Sequence, residues 1–151
     1  MITAKAIMTT DVVAFSPETE ILKAAKILLD RGINGAPVVD SEGRVVGILC
    51  QSDLVAQQKR MPVPTLFTML GGYISLSSTK QWEKEVRKIA ALTVAEAMTR
   101  DPITVTPETS LEEIAGLMVD KNFHTLPVVD HHRLVGIIGK EDVLKTFLQW
   151  S

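Results

Sequence analysis

Apolar residues recur every three or four positions in two stretches of the chain. Ile21, Leu22, Ala25, Leu28 and Leu29 form one stripe, and Leu111, Ile114, Ala115, Met118 and Val119 form the other. That spacing predicts two amphipathic helices with their stripes turned toward a core. A short β-branched run precedes each stripe, Val12–Phe15 and Ile103–Thr106, and Pro17 and Pro107 end these runs. Ser16-Pro17-Glu18-Thr19 and Thr106-Pro107-Glu108-Thr109 lead into the helices. Gly32 and Asn122 stand where a helix C-terminus favours a left-handed residue. The continuous apolar runs Ala36–Val39 and Leu126–Val129 then read as strands. A turn through Asp40-Ser41-Glu42-Gly43 leads into Val45–Cys50, and a tighter one through Asp130-His131-His132 leads into the matching strand. A closing helix begins near Ser52 and again near Lys140, and short amphipathic stretches, Ala4–Met8 and Val94–Met98, open the two series. The order β-α-β-β-α, twice, predicts an α/β (α+β) sandwich in which small sheets are covered by helices.

The series is a true repeat. With residues 8–40 set against 98–130 and 44–54 against 133–143, 17 of 44 pairs are identical. A unit of this size cannot bury its apolar face alone, so the copies must share a core, and their seam can form a pair of related clefts. The chain divides into a first repeat (1–60), an insert with a linker helix (61–92) and a second repeat (93–151). Residues 61–79 carry no charge, but two prolines, two glycines and six Ser/Thr argue against a membrane-spanning helix. The stretch reads as a flap on the protein's own surface, with a homodimer contact or a docking surface as alternatives. Beyond it, Trp82, Val86 and Ile89 share one face of a helix expected over Lys80–Leu92.

Composition narrows the function. The net charge is −2 and no basic run stands out, which argues against nucleic acid as a partner. Cys50 is the single cysteine, so there is no internal disulfide and no cysteine zinc cage. The first residues lack the apolar core of a signal peptide, because Asp11 interrupts it. The expectation is a cytoplasmic protein. Catalytic patterns are absent: Gly136-Ile137-Ile138-Gly139-Lys140 has the wrong spacing for a phosphate loop, and there is no HExxH or G-x-S-x-G. The adjacent His131 and His132 read as a solvated turn. No metal site is assigned.

Both copies share Met-Thr, an extended run, x-Pro-Glu-Thr, a helix, Pro-Val-Val-Asp, a turn, Val-Gly-Ile, and an Asp six residues after that Gly. This ordered set resembles a tandem cystathionine-β-synthase (CBS) domain pair, the Bateman module. The resemblance implies two repeats packed with pseudo-two-fold symmetry and commonly assembled into a homodimer. It also implies a regulatory rather than enzymatic role, with AMP, ADP, ATP or S-adenosylmethionine bound between the repeats as a regulatory ligand. No required cofactor is implied, and the regulated protein is unknown.

Carried over residue by residue, the resemblance makes Asp53 and Asp142 the acceptors for ribose hydroxyls. A carboxylate has acceptors enough for a cis-diol. The same position also suits a plain helix N-terminus, where a negative charge is favoured. Asn34, Gly35 and Ala36, with their counterparts His124, Thr125 and Leu126, are implied to give backbone contacts to the adenine, and His124 takes the basic, phosphate-facing position. Val13, Ile103 and Thr104 would wall the base. The family's usual hydroxyl three residues before the Asp is replaced by Cys50 and Gly139, which weakens the phosphate half of both sites. Lys140 beside Gly139 could meet a phosphate. Two functions follow: a sensing module for adenosine-containing ligands, or a structural module with degenerate clefts acting through dimerisation or partner docking.

Overall fold

The computed structural model describes residues 1–60 and 92–149. The charge-free stretch 61–79 and the helix expected after it lie, apart from Leu92, outside the described residues. The first half contains α1 (Ala4–Ile7), α2 (Ile21–Arg31), β1 (Gly35–Val39), β2 (Val45–Cys50) and α3 (Gln51–Arg60). The second contains α4 (Val94–Ala97), β3 (Thr99–Arg100), α5 (Leu111–Asp120), β4 (Thr125–Asp130), β5 (Arg133–Gly139) and α6 (Lys140–Gln149).

Local sequence accounts for most of these elements. Helix α2 ends on Gly32 in the left-handed conformation at φ 61°, and Asn122 takes φ 58° just beyond α5. Both caps fall where the sequence places them. The β1–β2 and β4–β5 hairpins are antiparallel, and each has a register shift at its matching position, after Val38 and after Val128. The second hairpin closes over two residues, His131 and His132, with φ 50° and 70°. That is the signature of a primed turn whose twist matches its strands. In the stripes, Ile21, Ala24, Ala25 and Leu28 are buried in α2, as are Ile114 and Met118 in α5. Leu29 and Val119, expected inward, are exposed. At 100° per residue Leu29 falls about 90° from the centre of the buried residues of α2 and Val119 about 120° from those of α5, which turns both to solvent. The runs Val12–Phe15 and Ile103–Thr106 do not form full strands. Each touches its sheet through one parallel bridge, Phe15 to Val38 and Val105 to Val128, before proline ends the pairing.

The opening segments change partners. Residues 1–9 pack on the second half: Ala4 is buried with Val105, Ile114 and Leu126, and Ile7 and Met8 lie against that core. The Ala4 and Lys5 amides donate to the carbonyls of Thr109 and Pro107. Residues 93–100 do the same to the first half: Val94 is buried with Phe15, Leu28 and Leu49, and the Val94 and Ala95 amides donate to Thr19 and Pro17. β3 extends the first sheet beside β2, and Thr9 bridges Ile137 at the equivalent place in the second. Two straps therefore cross between halves related by a pseudo-two-fold axis, with β1 facing β4 at the seam.

This crossing explains the repeated glycines. A methyl group on Gly47 would lie 2.9 Å from the Thr99 carbonyl oxygen and against Met98 Sδ. On Gly136 it would lie 3.1 Å from the Thr9 carbonyl oxygen and against Met8 Sδ. Only a residue without a side chain lets the strap pass this close.

Candidate functional site

The closing helices α3 and α6 start at the seam and bring their acidic residues with them. Asp53 and Asp142 occupy the third position of each helix, and their Oδ2 atoms accept the amides of Cys50 and Gly139 at 2.8 Å. Each side chain thus satisfies a backbone donor that the helix leaves unpaired. The helix-start role is realised, and it does not use up the group: a carboxylate has about four acceptor positions. The helix starts are also tied to the preceding loops, because the Gln51 amide donates to the Asn34 carbonyl at 2.8 Å and the Lys140 amide to the His124 carbonyl at 3.2 Å.

Each carboxylate borders its own cleft, of about 330 Å³ beside Asp53 and about 350 Å³ beside Asp142. The Asp53 cleft is walled by Ile48, Pro102 and Ile103 and reaches His124 and Thr125 of the other half. The Asp142 cleft is walled by Val12, Val13 and Ile137 and reaches Asn34 and Gly35. The extended runs that leave the sheets early are therefore the cleft walls. Asn34, His124 and Thr125 border both cavities, so the two sites meet at the seam.

Of the residues singled out from sequence, Asp53, Asp142, Asn34, Gly35, His124, Thr125, Val13, Ile103, Gly139 and Lys140 line a cleft. Three do not. Ala36 and Leu126 are fully buried in the two cores, because strand alternation turns them away from the seam. Thr104 is exposed and lies outside both linings.

Sequence reasoning passed over several lining residues. Thr9 and Thr99, with Asp11 and Asp101, are among the identical pairs of the repeat, yet they reach the clefts only because their straps cross. Thr99 donates its hydroxyl to Asp53 Oδ1 at 3.1 Å, a bond between halves. Lys145 follows Asp142 by three positions, so it shares that face of α6; this signal was readable from the spacing.

The halves differ at the residue before the closing helix. Cys50 borders the Asp53 cleft, where burial pushes its thiol up to about 11 and the Asp53 charge adds to the shift. Gly139 is open: a methyl there would come no nearer than 3.9 Å to Asp142 Oδ2 or the His124 carbonyl oxygen. His131 lies far from this chemistry, in the exposed turn, with Nδ1 2.9 Å from Asp130 Oδ1. Among the described residues there is no cluster of metal-ligating side chains, and no helix is long and apolar enough to cross a membrane.

The model of the CBS domain matches residues 4–59 and 94–149. The chloroplastic CBS domain-containing protein CBSX2 of Arabidopsis thaliana is 30% identical over 138 residues, covering 88% of this chain and 57% of that protein. Protein MJ1225 of Methanocaldococcus jannaschii is 33% identical over 141 residues, covering 93% of this chain and 45% of that protein. The chain thus spans about half the length of these relatives. Among solved structures, CBSX2 in complex with AMP aligns with a TM-score of 0.76 at 26% identity, over 99% of this chain and 98% of that one. The CBS domain pair of MJ0100, in complex with 5′-methylthioadenosine and S-adenosyl-L-methionine, aligns with a TM-score of 0.73 at 26% identity, over 100% and 99%. The crossed straps, the paired acidic helix starts and these matches lead to one conclusion: the chain belongs to the CBS domain family and carries two of its repeats in tandem.

Proposed function

We propose that this protein is a regulatory module that binds adenosine-containing ligands, AMP, ADP, ATP or S-adenosylmethionine, in the two clefts at the repeat seam. The observation that carries this reading is the duplicated placement of Asp53 and Asp142. Each stands at a helix start beside a cavity large enough for a nucleoside, with apolar walls for a base. Asp53 and Asp142 would accept the ribose hydroxyls. Asn34, Gly35, His124 and Thr125 would meet the base, with Val13 and Ile103 packed against its face. The AMP complex of CBSX2 and the nucleoside complexes of MJ0100 support the ligand class. Regulation follows when a ligand binds one arrangement of the halves better than another. The crossed straps would carry such a change from one half to the other.

The test is thermal stability of the whole chain with and without millimolar AMP, ATP and S-adenosylmethionine. A ligand at 100 times its dissociation constant adds about 2.7 kcal/mol. No shift with any of the three rejects the reading for these ligands.

The reading includes self-association as a homodimer. Leu29 and Val119 are equivalent positions of the repeat, as are Val55 and Leu144, and all four are exposed. Phe147 is also exposed beside them on α6. Equivalent apolar positions on a pseudo-symmetric chain suit a self-complementary two-fold contact. Solution mass tests it: a dimer that Leu144→Ser with Phe147→Ser converts to monomer supports the contact, and an unaffected dimer rejects it.

A further inference from the structure

The two clefts share a plan but not a charge. Beside Asp53, the lining contains among the described residues one further carboxylate, Asp101, and no lysine or arginine. Beside Asp142, Lys140 and Lys145 enter the lining and stand against Asp11 and Glu141. The departure arises from single repeat positions. Lys140 replaces Gln51, and Lys145 replaces Ala56. Both lysines sit on the helix that carries Asp142, and Lys145 is one turn from it, so their ammonium groups are supplied to that cleft alone. Threonine hydroxyls border both clefts, Thr99 beside Asp53 and Thr9 beside Asp142, but Ser52 is added only to the Asp53 cleft, where Glu141 holds the equivalent place in the other.

We propose that the two clefts sort adenosine ligands by charge: the Asp142 cleft takes phosphorylated adenosine compounds, and the Asp53 cleft takes adenosine compounds without phosphate, favouring a cationic sulfonium. This rests on the adenosine-binding reading above and divides it between the sites. The physical reason is direct. A phosphate at the Asp142 cleft meets two ammonium donors, Lys140 and Lys145, beside the carboxylates of Asp11, Glu141 and Asp142, a formal balance of −1. At the Asp53 cleft the described residues present Asp53 and Asp101 and no lysine or arginine, a formal balance of −2. S-adenosylmethionine, net +1 from its sulfonium, ammonium and carboxylate groups, experiences the reverse. One unit charge about 6 Å away, at an effective dielectric near 40, changes affinity about tenfold. One chain would then report on two chemically different pools at once, and Asn34, His124 and Thr125, which border both cavities, place the ligands close enough to affect each other.

The experiment is calorimetric titration of the full chain with AMP and, separately, with S-adenosylmethionine, in two variants. Asp53→Asn leaves the Asp142 cleft intact, and Asp142→Asn leaves the Asp53 cleft intact. Asparagine keeps a side-chain oxygen to accept the Cys50 or Gly139 amide, so the helix start is preserved. The expected result is opposite ligand orders. AMP outbinds S-adenosylmethionine in Asp53→Asn, and the reverse holds in Asp142→Asn, with the ratios at least tenfold apart. Adding Asp101→Asn to Asp142→Asn should move the ratio toward AMP, and asparagine tolerates the left-handed φ of 51° at that exposed position. Adding Lys145→Gln to Asp53→Asn should move it away from AMP. The same ligand order in both variants overturns the sorting while leaving adenosine binding intact. Binding of neither ligand by the parent chain rejects the underlying reading and the sorting with it.

Discussion

The halves agree residue for residue at the strap crossings and part at several positions of the clefts. Gly47 and Gly136 both clear a path for a strap, Met98 and Met8 both fill the space beside it, and Pro37 and Pro127 are both fully buried. Both hairpins carry the same register shift. Cys50 against Gly139, Gln51 against Lys140 and Asn34 against His124 differ, and all six lie at the clefts. The cores differ too, Ala24 against Ile114 and Ala36 against Leu126, but every such exchange stays apolar, because a core accepts another hydrophobic residue when its neighbours repack. The differing cleft positions have no such apolar constraint, and there the pairs change polarity and charge.

The largest expected effect tests whether the halves are one folding unit. Leu49 and Ile138 are equivalent and fully buried, one in each core. Leu49→Ala and Ile138→Ala should each cost about 2–5 kcal/mol. Because each core contains a strap from the other repeat, urea unfolding followed by circular dichroism should remain a single transition in both variants. Two separated transitions would break the idea of interdependent halves.

Next come the strap crossings. Gly47→Ala and Gly136→Ala should each destabilise by about 1–3 kcal/mol, since the methyl must displace a methionine side chain and crowd a carbonyl. The Gly47 variant should suffer more, because its carbonyl neighbour lies at 2.9 Å rather than 3.1 Å. Equal midpoints to the parent in denaturant would show that the straps are free to shift.

A smaller effect separates the clefts by chemistry. Gly139 has room for a side chain, so Gly139→Ser places a hydroxyl at the start of α6, beside Lys140. Affinity for AMP should rise about fivefold, the worth of one added hydrogen bond near 1 kcal/mol. An unchanged dissociation constant would mean that phosphate does not approach this helix start. The smallest effect isolates the bond between halves. Thr99→Val removes the hydroxyl held by Asp53 Oδ1 and should cost about 0.5–1 kcal/mol. Thr9→Val, at the equivalent position without such a bond, should leave the unfolding midpoint unchanged.

Much of this was legible in the order of residues. The helical stripes, the left-handed caps at Gly32 and Asn122, the hairpins and the acidic helix starts all follow from interactions within a few positions. Errors arose where geometry is set from a distance. Leu29 and Val119 fit a stripe by spacing but fall at its edge. Ala36 and Leu126 fit a binding loop by resemblance, but strand alternation sends their side chains into the cores and leaves only their backbone for such a contact. Thr9, Thr99, Asp11 and Asp101 carried the signal of exact repetition, yet nothing local tied them to a cleft.

The sequence by itself determined that two similar units exist, which helical stripes face a core, and that each carries the same Met-Thr and Val-Gly-Ile motifs. It did not determine which methionine meets which glycine. Both repeats offer the same residues, so Met8 against Gly47 satisfies the pattern as well as Met8 against Gly136 does. Only the path of the backbone resolves that degeneracy. The short helices α1 and α4 dock on the opposite core, their amides find carbonyls at Thr109 and Thr19, and the straps cross. That crossing is the step that carries Asp101 to the Asp53 cleft and Asp11 to the Asp142 cleft, and it gives two copies of one sequence motif two different sites.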